Sequence, residues 1–484
     1  MNLTQNRILI YGAGYYGEMS VKMLRSINAH IDGVIDSSEN KIGNQFCGFR
    51  VLSPDGIEPS ADLIIIISSM KYYDEIFKKL ESIGFNKKSI ISYDRLIHFV
   101  VCSKAIEYRQ SIVYPNHGDK TKRVLYDGQI FSIQKRGGIS RYFQELIRHI
   151  SQIEGFYVDF FEGVNVSELE FEVVGQSNIN SWYIDNDIYN DIDTRNIINH
   201  ELLKYYSDTS PSADIYHPTY YFESDICNWE KKVITVYDMI HEEFNLDQRT
   251  IEAKKEAIFN SDGIIAISEN TKKDILKYYD IDEKKIKVIY LANSLMFPDV
   301  TEAVDSFQYI LFVGNREGYK NFKTLAKAYA FSRIRGTYKL LCFGGGEFTA
   351  EENSLFDDLK VRDGIMWTNG DDRKLASIYS NASLFVYPSL YEGFGLPILE
   401  AMYYGIPVLT TFSSSLPEVA GDAAAYFEGS SVEDLKEKIE MILDSNELWT
   451  QMSNDGKDRE KLFSWKKTAY ETVRFYRDIL MDKV

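Results

Sequence analysis

Two glutamates, Glu392 and Glu400, stand eight residues apart in YEGFGLPILEAM (391–402), with Gly393, Gly395 and Pro397 between them. Proline suits the start of a helix, so Glu400 is expected in that helix's first turn and Glu392 before it, on a loop that glycines keep permissive. Such a helix start offers unpaired N–H groups and partial positive charge, which favours an anion. The carboxylates would repel that anion, yet they accept pairs of hydroxyls well. The stretch therefore fits a molecule with phosphate at its middle and polyols at both ends, a nucleotide diphosphate sugar. A solvated loop acid followed by an acid that complements the helix dipole would give the same residues, so this pair does not decide alone.

A second oddity lies in VGNREGYKNFKTLAKAYA (313–330), where Arg316 and Lys320 put cations at a helix start expected near Tyr319 or Lys320. The dipole disfavours them there, and local rules broken in this way often mark functional sites. The same conflict recurs in FSIQKRGGISRYFQELIRHI (131–150), where Lys135, Arg136 and Arg141 surround a Gly137-Gly138 turn that opens a helix. A bound diphosphate would turn both conflicts into complementarity.

Three strand-then-helix series must position these residues, the pattern of parallel sheets covered by helices. The first runs through RILIY (7–11), IDGVID (31–36), LIIIIS (63–68) and SIISY (89–93). A polar, turn-rich stretch at about 101–121 reads as a linker. The second series extends from VLYDG (124–128) to IKVIYL (286–291), and the third opens with YILFVG (309–314). The expected division is 1–105, linker 106–121, 122–300 and 301–484, an α/β chain whose second and third domains leave a cleft beyond the carboxyl ends of their strands.

RGGISRY, VYDMIHE, AISENTKKDIL, FVGNREGYKN, EGFGLPILEAMYYGIPVLTT and SSLPEVAGDAA, in that order, resemble the retaining glycosyltransferases of family 4, which have the two-domain GT-B fold. The resemblance covers roughly residues 122 to 480. It implies that Glu392 holds hydroxyls of the transferred sugar and Glu400 the nucleotide ribose, while Arg316 and Lys320 lie on the donor diphosphate. It also lays the amides of Gly393, Phe394, Gly395 and Leu396 along sugar and phosphate. Gly137 and Gly138 are implied at the approach to donor or acceptor, Gly344 and Gly345 beside the base, and His217 at a strand end by the site. Many relatives carry a His-Asp pair where this chain has Tyr237-Asp238, with His241 three residues later, so Asp238 becomes the candidate for orienting the acceptor. FSWKKTAYETVRFYRDIL (463–480) is similar to the family's closing helix, which crosses back onto the other domain. The implied activity is transfer of a hexose, with a lean toward mannose from GDP-mannose, to a glycan or lipid-linked glycan in surface polysaccharide synthesis. No Asp-x-Asp tract stands in the expected place for a metal, so none is expected.

In front of this unit, ILIYGAGYYGE (8–18) gives Gly12, Gly14 and Gly17 as G-x-G-x-x-G between a strand and a helix, and Asp36 ends the next strand. That context fits a dinucleotide fingerprint, with Asp36 on a ribose hydroxyl. The segment lacks a Tyr-x-x-x-Lys pair and resembles the small Rossmann-like domains that precede sugar-modifying acyltransferases, so a module binding NAD(P) or a nucleotide sugar is expected. A nucleotide-sugar epimerase or oxidoreductase driven by this domain, or a noncatalytic nucleotide-sugar binder, are the competing functions.

Composition narrows the rest. A net charge of -18 over 484 residues argues against nucleic acid and against a broad basic face for anionic lipid. The longest aliphatic run, 63–67, falls far short of the roughly 20 apolar residues of a membrane span. Cys47, Cys102, Cys227 and Cys342 are scattered, without metal-ligand spacing or disulfide density. With no secretory signal at the start, a cytoplasmic setting is expected, at most peripheral at the inner face of the membrane.

Overall fold

In the computed structural model, residues 3–69, 71–108, 121–135, 137–166, 178–180, 192–222, 226, 228–297 and 307–483 are described. Runs such as Leu63–Ile67 are buried along their whole length. Strands apolar on both faces belong to parallel sheets covered by helices on each side, and the chain builds three of them.

The first contains β1 (Arg7–Tyr11), β2 (Ile31–Ile35), β3 (Gln45–Phe46), β4 (Phe49–Leu52), β5 (Leu63–Ile67) and β6 (Ile90–Ser92), in the order β3-β4-β2-β1-β5-β6. All neighbours are parallel except the short β3–β4 hairpin. The second contains β7 (Lys122–Tyr126), β8 (Phe156–Phe161), β9 (Asn178–Asn180), β10 (Ala213–His217), β11 (Trp229–Val236), β12 (Gly263–Ala266) and β13 (Ile286–Val288), ordered β13-β12-β11-β10-β7-β8-β9. The third contains β14 (Gln308–Val313), β15 (Tyr338–Phe343), β16 (Ile365–Thr368), β17 (Leu384–Tyr387), β18 (Val408–Thr411) and β19 (Ala425–Phe427). Its order, β16-β15-β14-β17-β18-β19, reverses between β14 and β17, the arrangement of a doubly wound domain. The architecture is α/β, with two Rossmann-like sheets in the GT-B manner and a third in front.

Residues 101–108, expected in a linker, continue the helix Tyr93–Tyr108 instead. Its earlier residues Leu96, Ile97 and Val100 are buried in one core with Ile198, Leu202 and Tyr206 of the helix Ile192–Thr209, which lies under the second sheet. The stretch 109–120 lies outside the described residues. Another core is shared between the second and third sheets and takes in the last helix, Trp465–Leu480, which packs on the helix Gly138–Ile150 and on β11.

Candidate active site

Beyond the carboxyl ends of β14 and β17 lies a cavity of about 590 Å³. One wall is formed by Val313, Gly314, Lys320, Tyr387, residues 392–397 and Glu400, the other by Gly137, Gly138, Arg141, Tyr237 and Asp238 from the second sheet. A Cβ built on Gly138 would sit 3.9 Å from Leu396 Cδ1, so the starts of the helices Gly138–Ile150 and Leu396–Tyr403 face each other across the cavity. The two halves approach closely at Gly393, where a Cβ would fall 1.8 Å from the Tyr237 carbonyl oxygen. Only glycine fits there.

Each of the two acids is paired with a cation. Lys320 Nζ donates to Glu392 Oε1 at 2.5 Å and reaches the Tyr387 hydroxyl at 3.4 Å. The Glu392 amide is fixed by Ser414 Oγ at 2.8 Å. Glu400 Oε2 accepts from the Tyr379 hydroxyl at 2.9 Å, and its Oε1 lies 3.8 Å from Arg141 Nη1. Burial pushes the Glu400 carboxyl above its ordinary value, against the pull of the Arg141 charge and the Tyr379 hydrogen bond. The Tyr379 and Tyr387 hydroxyls are pushed well above the ordinary phenol value by burial and by the carboxylates beside them, so both remain donors.

The helix expected around Pro397 begins at Leu396, with Gly395 as its cap in the left-handed region (φ 112°). Glu400 is its fifth residue, in the second turn rather than the first; its side chain still lines the cavity because helical Cα–Cβ bonds lean toward the N-terminus. Phe394 also lines the cavity, while its ring packs against Tyr290 and Phe463. Lys320 ends a short 3-10 turn, Gly318–Lys320, and the helix proper starts at Phe322.

Arg316 does not join Lys320. Its guanidinium donates to Glu352 Oε1 at 2.7 Å and to the carbonyls of Gly344 at 2.9 Å, Gly346 at 2.9 Å and Glu347 at 3.0 Å. That donor fork is filled by protein acceptors, and Arg316 lines a separate hollow together with Gly345, whereas Gly344 lines the main cavity. His217 is also placed elsewhere. It is completely buried, with Nδ1 at 2.5 Å from the Tyr476 hydroxyl and Nε2 at 2.9 Å from Thr235 Oγ1. Burial drives its pKa down to about 3, so the ring is a neutral part of the core that ties the last helix to β10 and β11. Asp238 does line the cavity, and its Oδ1 accepts the Ile240 amide at 3.0 Å. Tyr237 is buried, and His241 is not among the lining residues; its Nδ1 is buried without a hydrogen-bond partner among the described residues.

Sequence reasoning missed Tyr379, Tyr387 and Asp372. Tyr387 lies in an apolar strand and Tyr379 shares a helix face with Leu375, places where an aromatic reads as core, and Asp372 follows Asp371 at a helix start, where acids serve as caps.

The front sheet has a pocket of about 530 Å³ beyond β1, β2 and β5, lined by Gly12, Gly14, Asp36, Lys41 and Ser68 among others. Gly17 lies outside it and lets helix and strand close up, since a Cβ there would fall 1.9 Å from the Gly12 carbonyl oxygen. The Asp36 carboxylate accepts from the Ala13 amide at 2.7 Å, the Ser38 amide at 2.8 Å and Lys41 Nζ at 3.1 Å. Burial opposes its ionisation, but these donors outweigh burial and hold its pKa below the ordinary value. Among the described residues no group of three or more His, Cys, Asp or Glu is arranged to hold a metal ion.

Three family descriptions match the chain: "C2185-like, N-terminal" over residues 4–91, "Glycosyltransferase Family 4" over 136–292 and "Glycosyl transferases group 1" over 297–459. The chain is 28% identical over 285 residues to the O-antigen chain mannosyltransferase B of Escherichia coli, covering 54% of this chain and 74% of the relative. It is 27% identical over 241 residues to the serotype-specific mannosyltransferase WbdA of Escherichia coli, covering 46% of this chain but only 29% of that protein. In fold it is similar to the sucrose-phosphate synthase of Thermosynechococcus elongatus (TM-score 0.58, 19% identity, 75% of this chain and all of the other). It is likewise similar to Anabaena Alr3699/HepE, solved in complex with UDP and glucose (TM-score 0.56, 12% identity, 74% of this chain and all of the other).

Proposed function

The chain belongs to the family 4 glycosyltransferases of the GT-B fold, and from that premise we propose that it moves a hexose from a nucleotide diphosphate sugar to a glycan or lipid-linked glycan in surface polysaccharide synthesis. The observation that carries this reading is the cavity in which two acid–cation pairs stand between two facing helix starts. Hydroxyls of the transferred sugar go to Glu392, the ribose to Glu400, and the diphosphate to Lys320 and the amides of 393–396. Mannose carried by GDP is the favoured donor; the names of the two relatives support the mannose and leave the carrier to experiment.

Breaking the bond between the sugar's C1 and the leaving phosphate oxygen collects negative charge on that phosphate. Lys320 and the helix starts stabilise this charge at fixed positions, with little reorganisation during the reaction. Transfer is proposed to retain configuration: the acceptor oxygen bonds to C1 from the face the phosphate leaves, and the acceptor proton passes to the departing phosphate oxygen. Asp238 orients the acceptor hydroxyl. The front pocket is proposed to hold NAD(P) or a nucleotide sugar as a binding module, with Gly14 leaving room for the ligand's phosphates. Among the described residues no helix is long and apolar enough to cross a membrane, and contact with the membrane is proposed to be peripheral.

The test is turnover of a panel of nucleotide sugars by the purified full chain. Glu392→Ala and Lys320→Ala should each lower kcat by about tenfold or more, roughly 1.4 kcal/mol of barrier, and a chelator should leave the wild-type rate nearly unchanged. Wild-type rates in both variants would overturn the donor assignment, and loss with the chelator that magnesium restores would overturn the metal-free chemistry.

A further inference from the structure

A diphosphate leaving group needs more positive charge than one lysine supplies, above all a lysine already paired with Glu392. Arg316, the expected second cation, is held by Glu352 and by the backbone carbonyls of Gly344, Gly346 and Glu347, and does not itself line the cavity. Among the described residues that line the cavity, Arg141 and Lys320 are the only arginine or lysine side chains.

Arg141 is the fourth residue of the helix Gly138–Ile150, where the dipole disfavours a cation and no side-chain cap offsets it. It is nevertheless well ordered by its neighbours. Nη2 donates to both oxygens of Asp372, at 2.8 and 3.0 Å, across the cleft in the other half of the fold. Nη1 makes no hydrogen bond among the described residues and points within 3.8 Å of Glu400 Oε1, too far to bond it. The side chain is 15% exposed, so its remaining donors face a partly desolvated space. A planar guanidinium suits phosphate, which it can bind through two N–H groups at once.

We propose that Arg141 is the second cation of the diphosphate site, supplied from the half opposite Lys320, and that Asp372 is a positioning residue that holds it there. This rests on the cleft being the donor site. The diphosphate site is then complete only while the two halves stand together, and a bound donor ties them through Arg141. A nucleoside without phosphate would gain nothing from that residue.

The experiment is calorimetric binding of GDP, UDP and the corresponding nucleosides to the purified full chain and to Arg141→Ala, Arg141→Lys, Lys320→Ala and Asp372→Asn, each checked for folding by circular dichroism and melting temperature. Arg141→Ala should weaken the better-bound diphosphate by about tenfold or more while nucleoside affinity stays within about twofold. Arg141→Lys should fall between wild type and alanine. Asp372→Asn should weaken diphosphate binding in the wild-type background and add nothing to Arg141→Ala, because coupled partners are not additive. If Lys320→Ala weakens the diphosphate and Arg141→Ala does not, the role of Arg141 is overturned while the donor site survives. If neither matters, or neither nucleotide binds the wild-type chain, the donor-site reading itself fails. Equal loss of nucleoside and diphosphate in Arg141→Ala would also overturn the proposal, since it would mark a purely structural arginine.

Discussion

Glu400 is the residue at which burial and function pull in opposite directions. Its carboxyl must be ionised to accept two ribose hydroxyls as proposed, yet burial raises its pKa and Arg141 only partly offsets that. The raised value means that protonation, and loss of the acceptor, set in at a higher pH than for an ordinary glutamate. The acid limb of kcat/KM should therefore break above 4.5, the ordinary value for this group, and Glu400→Gln should lose that break along with most of the activity. A limb at or below the ordinary value would show that Glu400 is not the titrating group. Glu392, Glu400 and Lys320 were legible in the sequence because their chemistry is local: glycines, a proline and a charge in the wrong place on a helix start. The side chain of Arg316 was not, since its direction depends on Glu352, which is 36 residues away. His217 misled for a similar reason, its two partners lying on β11 and on the last helix.

Elements position these side chains through two devices, the reversal of strand order between β14 and β17 and the contact of the 392–395 loop with the half built on the second sheet. The aliphatic strands announced themselves in the sequence, while β16 and β19, short and mixed in composition, did not. The close approach at Gly393 was also invisible, because a glycine demanded by a neighbour's carbonyl looks the same as one that frees a loop. Gly393→Ala tests it at this scale. A methyl at 1.8 Å from the Tyr237 oxygen must push the two walls apart, so kcat/KM should fall by about a hundredfold or more, a shift of roughly 2.7 kcal/mol, while circular dichroism stays native. Activity within about twofold of wild type would mean that the loop contact does not set the site.

At the scale of the whole molecule, the front sheet is joined to the transferase body by more than a tether. Tyr93 lies 3.4 Å from Thr194 Oγ1, His98 pairs with Glu201, and the helices that carry them share one buried core. Each buried leucine or isoleucine at that seam contributes about 1.5–3 kcal/mol. A chain lacking residues 1–108 should accordingly melt lower and aggregate, through Ile198, Leu202 and Tyr206 laid bare; an unchanged melting temperature would show that the front sheet is independent. Composition alone placed a linker from about residue 101, where the helix that carries this seam, Tyr93–Tyr108, instead runs on. The last helix adds a second tie by joining both halves of the transferase through Tyr476 and its hydrogen bonds to Tyr126 and His217. The second of these ties holds together the cleft in which everything proposed for this enzyme takes place. The most direct measurement is a crystal structure of the full chain soaked with GDP or UDP. The phosphates are expected between the starts of the helices Gly138–Ile150 and Leu396–Tyr403, within hydrogen-bond reach of Lys320, with the ribose on Glu400; nucleotide bound elsewhere, leaving Glu400 with only Tyr379 and Arg141 for company, would contradict the donor site.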